Sequence, residues 1–171
     1  MKKIAWIILG SLAFQTTVLA GDFNIEDNQL QPVSIEASSA IQADKSFSEY
    51  KHEGCNQLVG IAVDLDGTGK QAGWVATTAN GCAWGASAGP IWVLYRQTMN
   101  YTVVLATGGH NLTIGKAKQN GLRHLAISSG SAGWYSESLL KFDGSKYVVT
   151  KSREVNLGDP DACRKNKDVC P

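Results

Sequence analysis

The chain is short of charge. Only 18% of its 171 residues are Asp, Glu, Lys or Arg, and they nearly cancel, leaving a formal net charge of +1. A chain so close to neutral exerts no general attraction on nucleic acid or anionic lipid, so neither is expected as a partner. Histidine is scarce as well. His52, His110 and His124 are scattered and no C-x-x-C pair occurs, so the ligand spacing of a zinc site is missing. The apolar run from Ile4 to Phe14 stops at Gln15-Thr16-Thr17, short of the roughly 20 residues that a membrane-spanning helix needs. No cofactor is called for.

What the first residues do contain is a charged start (Lys2, Lys3), that short apolar run and a small-residue site at Val18-Leu19-Ala20. Together they predict a secretory signal peptide over residues 1–20, cleaved after Ala20. No cysteine follows the cleavage point, so no lipid anchor is expected and the mature chain should work in the periplasm without a membrane anchor. Cysteine usage agrees: Cys55, Cys82, Cys163 and Cys170 all lie in the mature part, and an even number in an exported chain favours two disulfides. Four cysteines allow three connectivities. The short charged loop between Cys163 and Cys170 favours joining those two, which leaves Cys55 to Cys82.

With 43% hydrophobic residues, 171 residues suffice for one domain with a core and not for two. Residues 21–37 read as a polar leading segment with isolated Phe23, Ile25 and Leu30, extended or poorly ordered. Residues 38–155 read as a single β domain that opens on a helix, and 156–171 as a disulfide-looped tail. The helix spans Ser38 to Tyr50, with Ala40, Ile41, Phe47 and Tyr50 at near-helical spacing, Ser38 or Ser39 as cap and Gly54 as stop. Beyond it a turn signal recurs every eight to twelve residues, as in an all-β meander. Strands are expected over Leu58 to Leu65, Gly73 to Thr78, Ile91 to Arg96, Tyr101 to Ala106, Asn111 to Gly115, Leu122 to Ser128, Leu139 to Phe142 and Lys146 to Thr150, the last two joined by an Asp143-Gly144 hairpin. Ile91 to Tyr95 is apolar on both faces and therefore central in the sheet. The fold class is thus all-β, mainly antiparallel, with about eight strands and one short N-terminal helix covering one face.

Three stretches are candidates for function. The loop Asp64-Leu65-Asp66-Gly67-Thr68-Gly69 points two carboxylates toward one spot, as a calcium loop does, but Thr68 and Ala72 stand where such a loop wants acids. Asp64 and Asp66 are therefore only weak metal candidates, and a plain turn is the competing expectation. Ser128 or Ser131 with His124 and Asp143 supply the residue types of a serine hydrolase, although a flexible linking loop explains the serines as well. His110 reads as a turn residue. The stretch Ser128-Ser129-Gly130-Ser131-Ala132-Gly133-Trp134-Tyr135 also suits an inhibitor. Serines are compact donors and acceptors, glycines admit close approach, and Trp134 and Tyr135 can anchor a rim. Ser128, Ser129, Gly130, Ser131, Trp134 and Tyr135 are accordingly the candidate partner-binding residues. The Ala79 to Pro90 loop with Trp84 is a second candidate, with disulfide-clamped structure as its alternative. Asn100-Tyr101-Thr102 and Asn111-Leu112-Thr113 match glycosylation acceptors, accidental in a periplasm.

The succession D-L-D-G-T-G-K, G-W-V, I-W-V-L-Y-R, N-G-L-R-H-L and F-D-G-S-K-Y resembles small exported proteobacterial β proteins. Their Asp/Gly-rich turn is similar to that of FG-GAP or integrin-like calcium repeats. Acids are missing at Thr68, Ala72 and His124, so the resemblance does not carry calcium binding with it. Such proteins include immunity proteins that inhibit periplasmic cell-wall amidases delivered by type VI secretion. The resemblance implies a protein-binding inhibitor of a cell-wall amidase or other hydrolase and not an enzyme. The alternatives are a ligand- or calcium-binding cell-envelope module and, more remotely, a serine hydrolase.

Overall fold

The computed structural model describes residues 22–170; the expected signal peptide, residues 1–20, lies outside the described residues. In chain order the elements are β1 (Phe23–Asn24), β2 (Gln31–Pro32), α1 (Ile35–Ala43), a 3-10 turn (Lys45–Phe47), α2 (Ser48–His52), β3 (Leu58–Val63) and β4 (Gly73–Thr78). They continue with a 3-10 turn (Ala79–Gly81), β5 (Gly89–Gln97), β6 (Asn100–Gly109), β7 (Asn111–Gln119), β8 (Leu122–Ser131), β9 (Trp134–Phe142), β10 (Tyr147–Asn156) and α3 (Pro160–Lys165).

The fold is all-β with minor helix, and the strands form two antiparallel sheets of five. Sheet one has the order β1-β7-β8-β9-β10 and sheet two the order β2-β3-β4-β5-β6. A single meander covered by a helix is therefore too simple. In β5, Ile91 and Val93 belong to a core shared with Leu112, Leu125, Ile127, Leu140 and Phe142 of sheet one. Trp92 and Leu94, pointing the other way, belong to a second core with Ala37, Ile41 and Phe47. A strand apolar on both faces needs cover on both. Sheet one supplies one cover and α1 with the following turn supplies the other, giving three layers. Trp92, 1% exposed, donates its indole N–H to Ser46 Oγ at 3.0 Å and meets the rings of Phe47 and Tyr50 at 5.7 and 5.1 Å. Burying such a ring stabilises by about 2–3 kcal/mol.

The chain switches sheets twice. The leading segment is ordered, because Phe23 and Ile25 are buried, β1 pairs with β7 and β2 with β3. Between β6 and β7 stands a single residue, His110, so Gly108-Gly109 makes a crossing between sheets and not a hairpin. A Cβ on Gly109 would lie 2.6 Å from Ile127 and 3.1 Å from Ile91, so only glycine fits where the sheets meet. The helix starts earlier than its pattern suggests. Ser34 is the cap, its Oγ accepting from Ala37 N–H at 3.3 Å, which puts Ala37 and Ile41 on the buried side.

Turn chemistry is legible in part. Asn120-Gly121, both at positive φ, joins β7 to β8 in the expected tight turn. The Asp143-Gly144 turn is instead a four-residue loop between paired Phe142 and Tyr147. The Asp143 carboxylate accepts from Ser145 and Lys146 N–H at 2.7 and 2.8 Å, a side-chain cap that takes the place of the second positive φ. Both expected disulfides are present, Cys55–Cys82 and Cys163–Cys170, which is consistent with maturation outside the cytoplasm. No helix among the described residues is long and apolar enough to cross a membrane.

Cys55–Cys82 closes a loop of sequence separation 27, for which the loss of loop entropy on cross-linking corresponds to roughly 3–4 kcal/mol. Replacing both cysteines by serine is expected to lower unfolding free energy by about that amount, measured by urea denaturation with the strand signal in circular dichroism retained.

Candidate functional site

The expected flexible loop from Ser128 to Tyr135 is absent. β8 runs on to Ser131 and β9 already begins at Trp134, paired opposite it, so only Ala132-Gly133 turns. The hairpin is long and regular because β8 and β9 stay in register from Leu125↔Leu140 to the tip. Both turn residues have positive φ, 50° at Ala132 and 83° at Gly133, the backbone of a two-residue turn that matches strand twist. Alanine is a poor choice for the first of these positions.

Side chains alternate across a strand, and that divides the sequence candidates. Leu125 and Ile127 in β8, and Leu140 and Phe142 in β9, face sheet two. Further toward the tip, at steps of two residues, the same face carries Ser129 and Ser131 from β8, and Ser138, Ser136 and Trp134 from β9. On β10, Ser152 and Glu154 stand opposite Ser138 and Ser136. The Ser129 and Ser136 hydroxyls face each other at 3.4 Å and those of Ser138 and Ser152 at 2.9 Å. The result is a shelf of serines leading from the core to the tip. A cavity of about 300 Å³ opens on it, its lining made by Ser129 to Ser131, Trp134 to Ser136, Ser87 and Glu154. Trp134 is 53% exposed.

Ser128 and Tyr135 do not join the others on that face. Ser128 follows His124 and Ala126 onto the opposite one. The Tyr135 hydroxyl donates to Glu137 at 3.4 Å, and its ring has the Arg153 guanidinium 5.8 Å from its centre. Arg153 in turn donates to Glu137 at 2.9 Å and to Asp168 at 3.2 Å, and its hydrogen bond holds the Asp168 carboxyl below the usual carboxylate range. Tyr135 therefore belongs to a clasp that fixes the tail. The clasp is joined by a backbone bond from Leu157 N–H to the Gly133 carbonyl, 2.6 Å, at the tip itself. Ser87, Ser136 and Glu154 were missed. Carrying the alternation of Leu140 back along β9 would have found Ser136, and Ser87 is the centre of a G-x-S-x-G match, Gly85-Ala86-Ser87-Ala88-Gly89, which leads into strand β5 and not into the helix that a nucleophile elbow needs; Glu154 comes from a distant part of the chain and left no local signal.

The hydrolase types do not assemble. His124 and Ser128 share a face but lie four residues apart on one strand, roughly 13 Å. Ser131 faces the other way, and Asp143 is engaged in its own turn. The imidazole Nε2 of His124 is buried without a hydrogen-bond partner. His110 is the residue between sheets, 3.7 Å from Glu26. Trp84, the second aromatic candidate, turns inward and donates to Thr78 Oγ1 at 3.0 Å, so the loop around it is clamped structure.

The Asp64 loop is occupied by the protein's own groups. Asp64 accepts from Thr68 and Gly69 N–H, each at 3.0 Å. Asp66 accepts from the Thr68 hydroxyl at 2.7 Å and from Tyr95 at 3.3 Å. Two cations reach in from sheet one: Lys118 donates to the Asp66 carbonyl at 2.5 Å, and Arg123 stands 3.5 Å from Asp64. Among the described residues no group of three or more His, Cys, Asp or Glu could hold a metal ion. Partial burial raises the Asp66 carboxyl, but the bonds from Thr68, Asp64 and Tyr95 outweigh it and leave it below its ordinary value.

Comparison of the chain with protein-family models, with curated proteins and with solved structures finds no match.

Because Asp66 is depressed in the fold, its contribution is complete above the unfolded carboxyl range near pH ~4 and is lost as pH falls through the lower folded value. Asp66→Asn is expected to lower stability at neutral pH and to flatten the decline below that range, read from urea midpoints between acid and neutral pH. Ala132→Asn, a residue that tolerates positive φ, should raise stability by about 0.5–1 kcal/mol, read from the same midpoints.

Proposed function

We propose that the chain is an exported, periplasmic binding protein that acts through the β8–β9 hairpin end as an immunity-type inhibitor of a cell-wall amidase or other hydrolase. The observation that carries this reading is Trp134, half exposed beside a row of serine hydroxyls on a hairpin with a two-residue turn. A large aromatic side chain on a stiff support buries area at low entropic cost, and serines offer small donors and acceptors to groups in a partner's cleft. Stiffness comes from behind: the Arg153 clasp and the Leu157–Gly133 bond tie the tip to the segment that the Cys163–Cys170 ring closes. The resemblance to small exported β proteins points to the same class of partner. A second reading, a ligand-binding cell-envelope module, is favoured by the cavity of about 300 Å³ on the shelf.

The test is release of peptides from purified peptidoglycan by small cysteine-histidine amidases of the kind that type VI secretion delivers, with and without the mature protein. Inhibition by the wild type is expected, weakened about 30-fold by Trp134→Ala and abolished by Ser129→Arg with thermal midpoints unchanged. Full inhibition by both variants would move the binding surface elsewhere, and none by the wild type would favour the module.

A further inference from the structure

The serine shelf carries more hydrogen-bonding capacity than the fold uses. Each hydroxyl has one donor and two acceptor sites, yet Ser129 and Ser136 share only contacts at 3.4 Å. Glu154, opposite Ser136, is the single charge in the lining, which contains no lysine, arginine or histidine. Among the described residues it forms no ion pair. This charge pattern repels phosphates and other anions, and a lining rich in hydroxyls gives a lipid tail nothing to bury against. A neutral ligand that donates to a carboxylate, exchanges hydrogen bonds with serines and lays a face of C–H groups on an indole satisfies every group present.

We propose that the shelf is a saccharide-binding site for neutral pyranose sugars, with Trp134 as stacking platform, Glu154 as the charged acceptor and Ser129, Ser131, Ser136 and Ser87 as the hydroxyl contacts. The site goes beyond inhibition of a protein partner, although it shares Trp134 with that surface. It gives an exported protein a means of holding glycan.

The test needs no protein partner. Chitotriose, and separately cellotriose, is titrated into the ¹⁵N-labelled mature chain with its disulfides formed, and amide shifts are followed. Saturable shifts confined to residue 87, residues 129–136 and residue 154 are expected. Trp134→Ala should weaken binding at least about tenfold and Glu154→Gln several-fold, with the amides of α1 and β5 unmoved. An acetylated sugar that binds alone identifies an amino-sugar glycan, and equal binding of both trimers a general pyranose site. Absence of saturable shifts from both trimers up to about 20 mM, shifts that neither variant reduces, or saturable binding of inorganic phosphate or acetyl-arginine amide in place of the sugars would overturn the proposal. Because amidase inhibition is read in a different assay, either idea can fail alone.

Discussion

The architecture depends on the two-sidedness of β5. Ile91 and Val93 must leave water on one face, Trp92 and Leu94 on the other, and a strand of that kind is stable only inside three layers. That constraint explains why the helix sits where it does and why a second sheet is needed. It also explains why the chain crosses between sheets at Gly109, where no side chain fits, and after β1. The Asp64 loop follows from the same layering. Projecting from sheet two, it meets Lys118 and Arg123 of sheet one, so a turn that in outline suits a metal has become an ionic tie between layers.

The tail extends the logic to the far end of sheet one. β10 is an edge strand, and Arg153 on its outward side gathers Glu137, Asp168 and the face of Tyr135. Surface ion pairs taken singly contribute little. Here several converge on one guanidinium, and the segment they fix reaches the carbonyl of Gly133. What the clasp supplies is position: the tip is held without being buried.

How much was legible in the sequence follows from the range of each signal. Strand identity, the position of β5 inside its sheet, the Asn120-Gly121 turn and Cys163–Cys170 rest on neighbours a few residues apart, and these hold; Cys55–Cys82, 27 residues apart, followed from them by elimination. The division into two sheets does not rest on such neighbours, because alternation records which residues are buried and not what buries them. The leading segment looks polar because its buried side chains, Phe23, Ile25, Val33 and Ala37, fall at no single period. At the site, composition identified Ser129, Ser131 and Trp134, whereas reading them as a loop hid the alternation that brings in Ser136 and separates Ser128 and Tyr135 from the rest.

Alternation along the hairpin defines where the shelf begins. From Leu125 and Ile127 to Ser129 and Ser131, and from Phe142 and Leu140 to Ser138 and Ser136, one face changes from aliphatic to hydroxyl on both strands, with Ile127 opposite Ser138 where the two overlap. The neighbouring β10 carries Ser152 and Glu154 at the matching positions. Such a change is what solubility requires where sheet two no longer covers sheet one, since apart from Ser87 the cavity is lined from sheet one alone. Solubility would be served equally by lysine or glutamate on every strand, and best by no aromatic residue at all. The structure has small hydroxyls and then, at the last paired position, a tryptophan more than half exposed whose burial the fold does not use. A side chain of that size on a stiff tip is the contact surface that the proposed binding role would use.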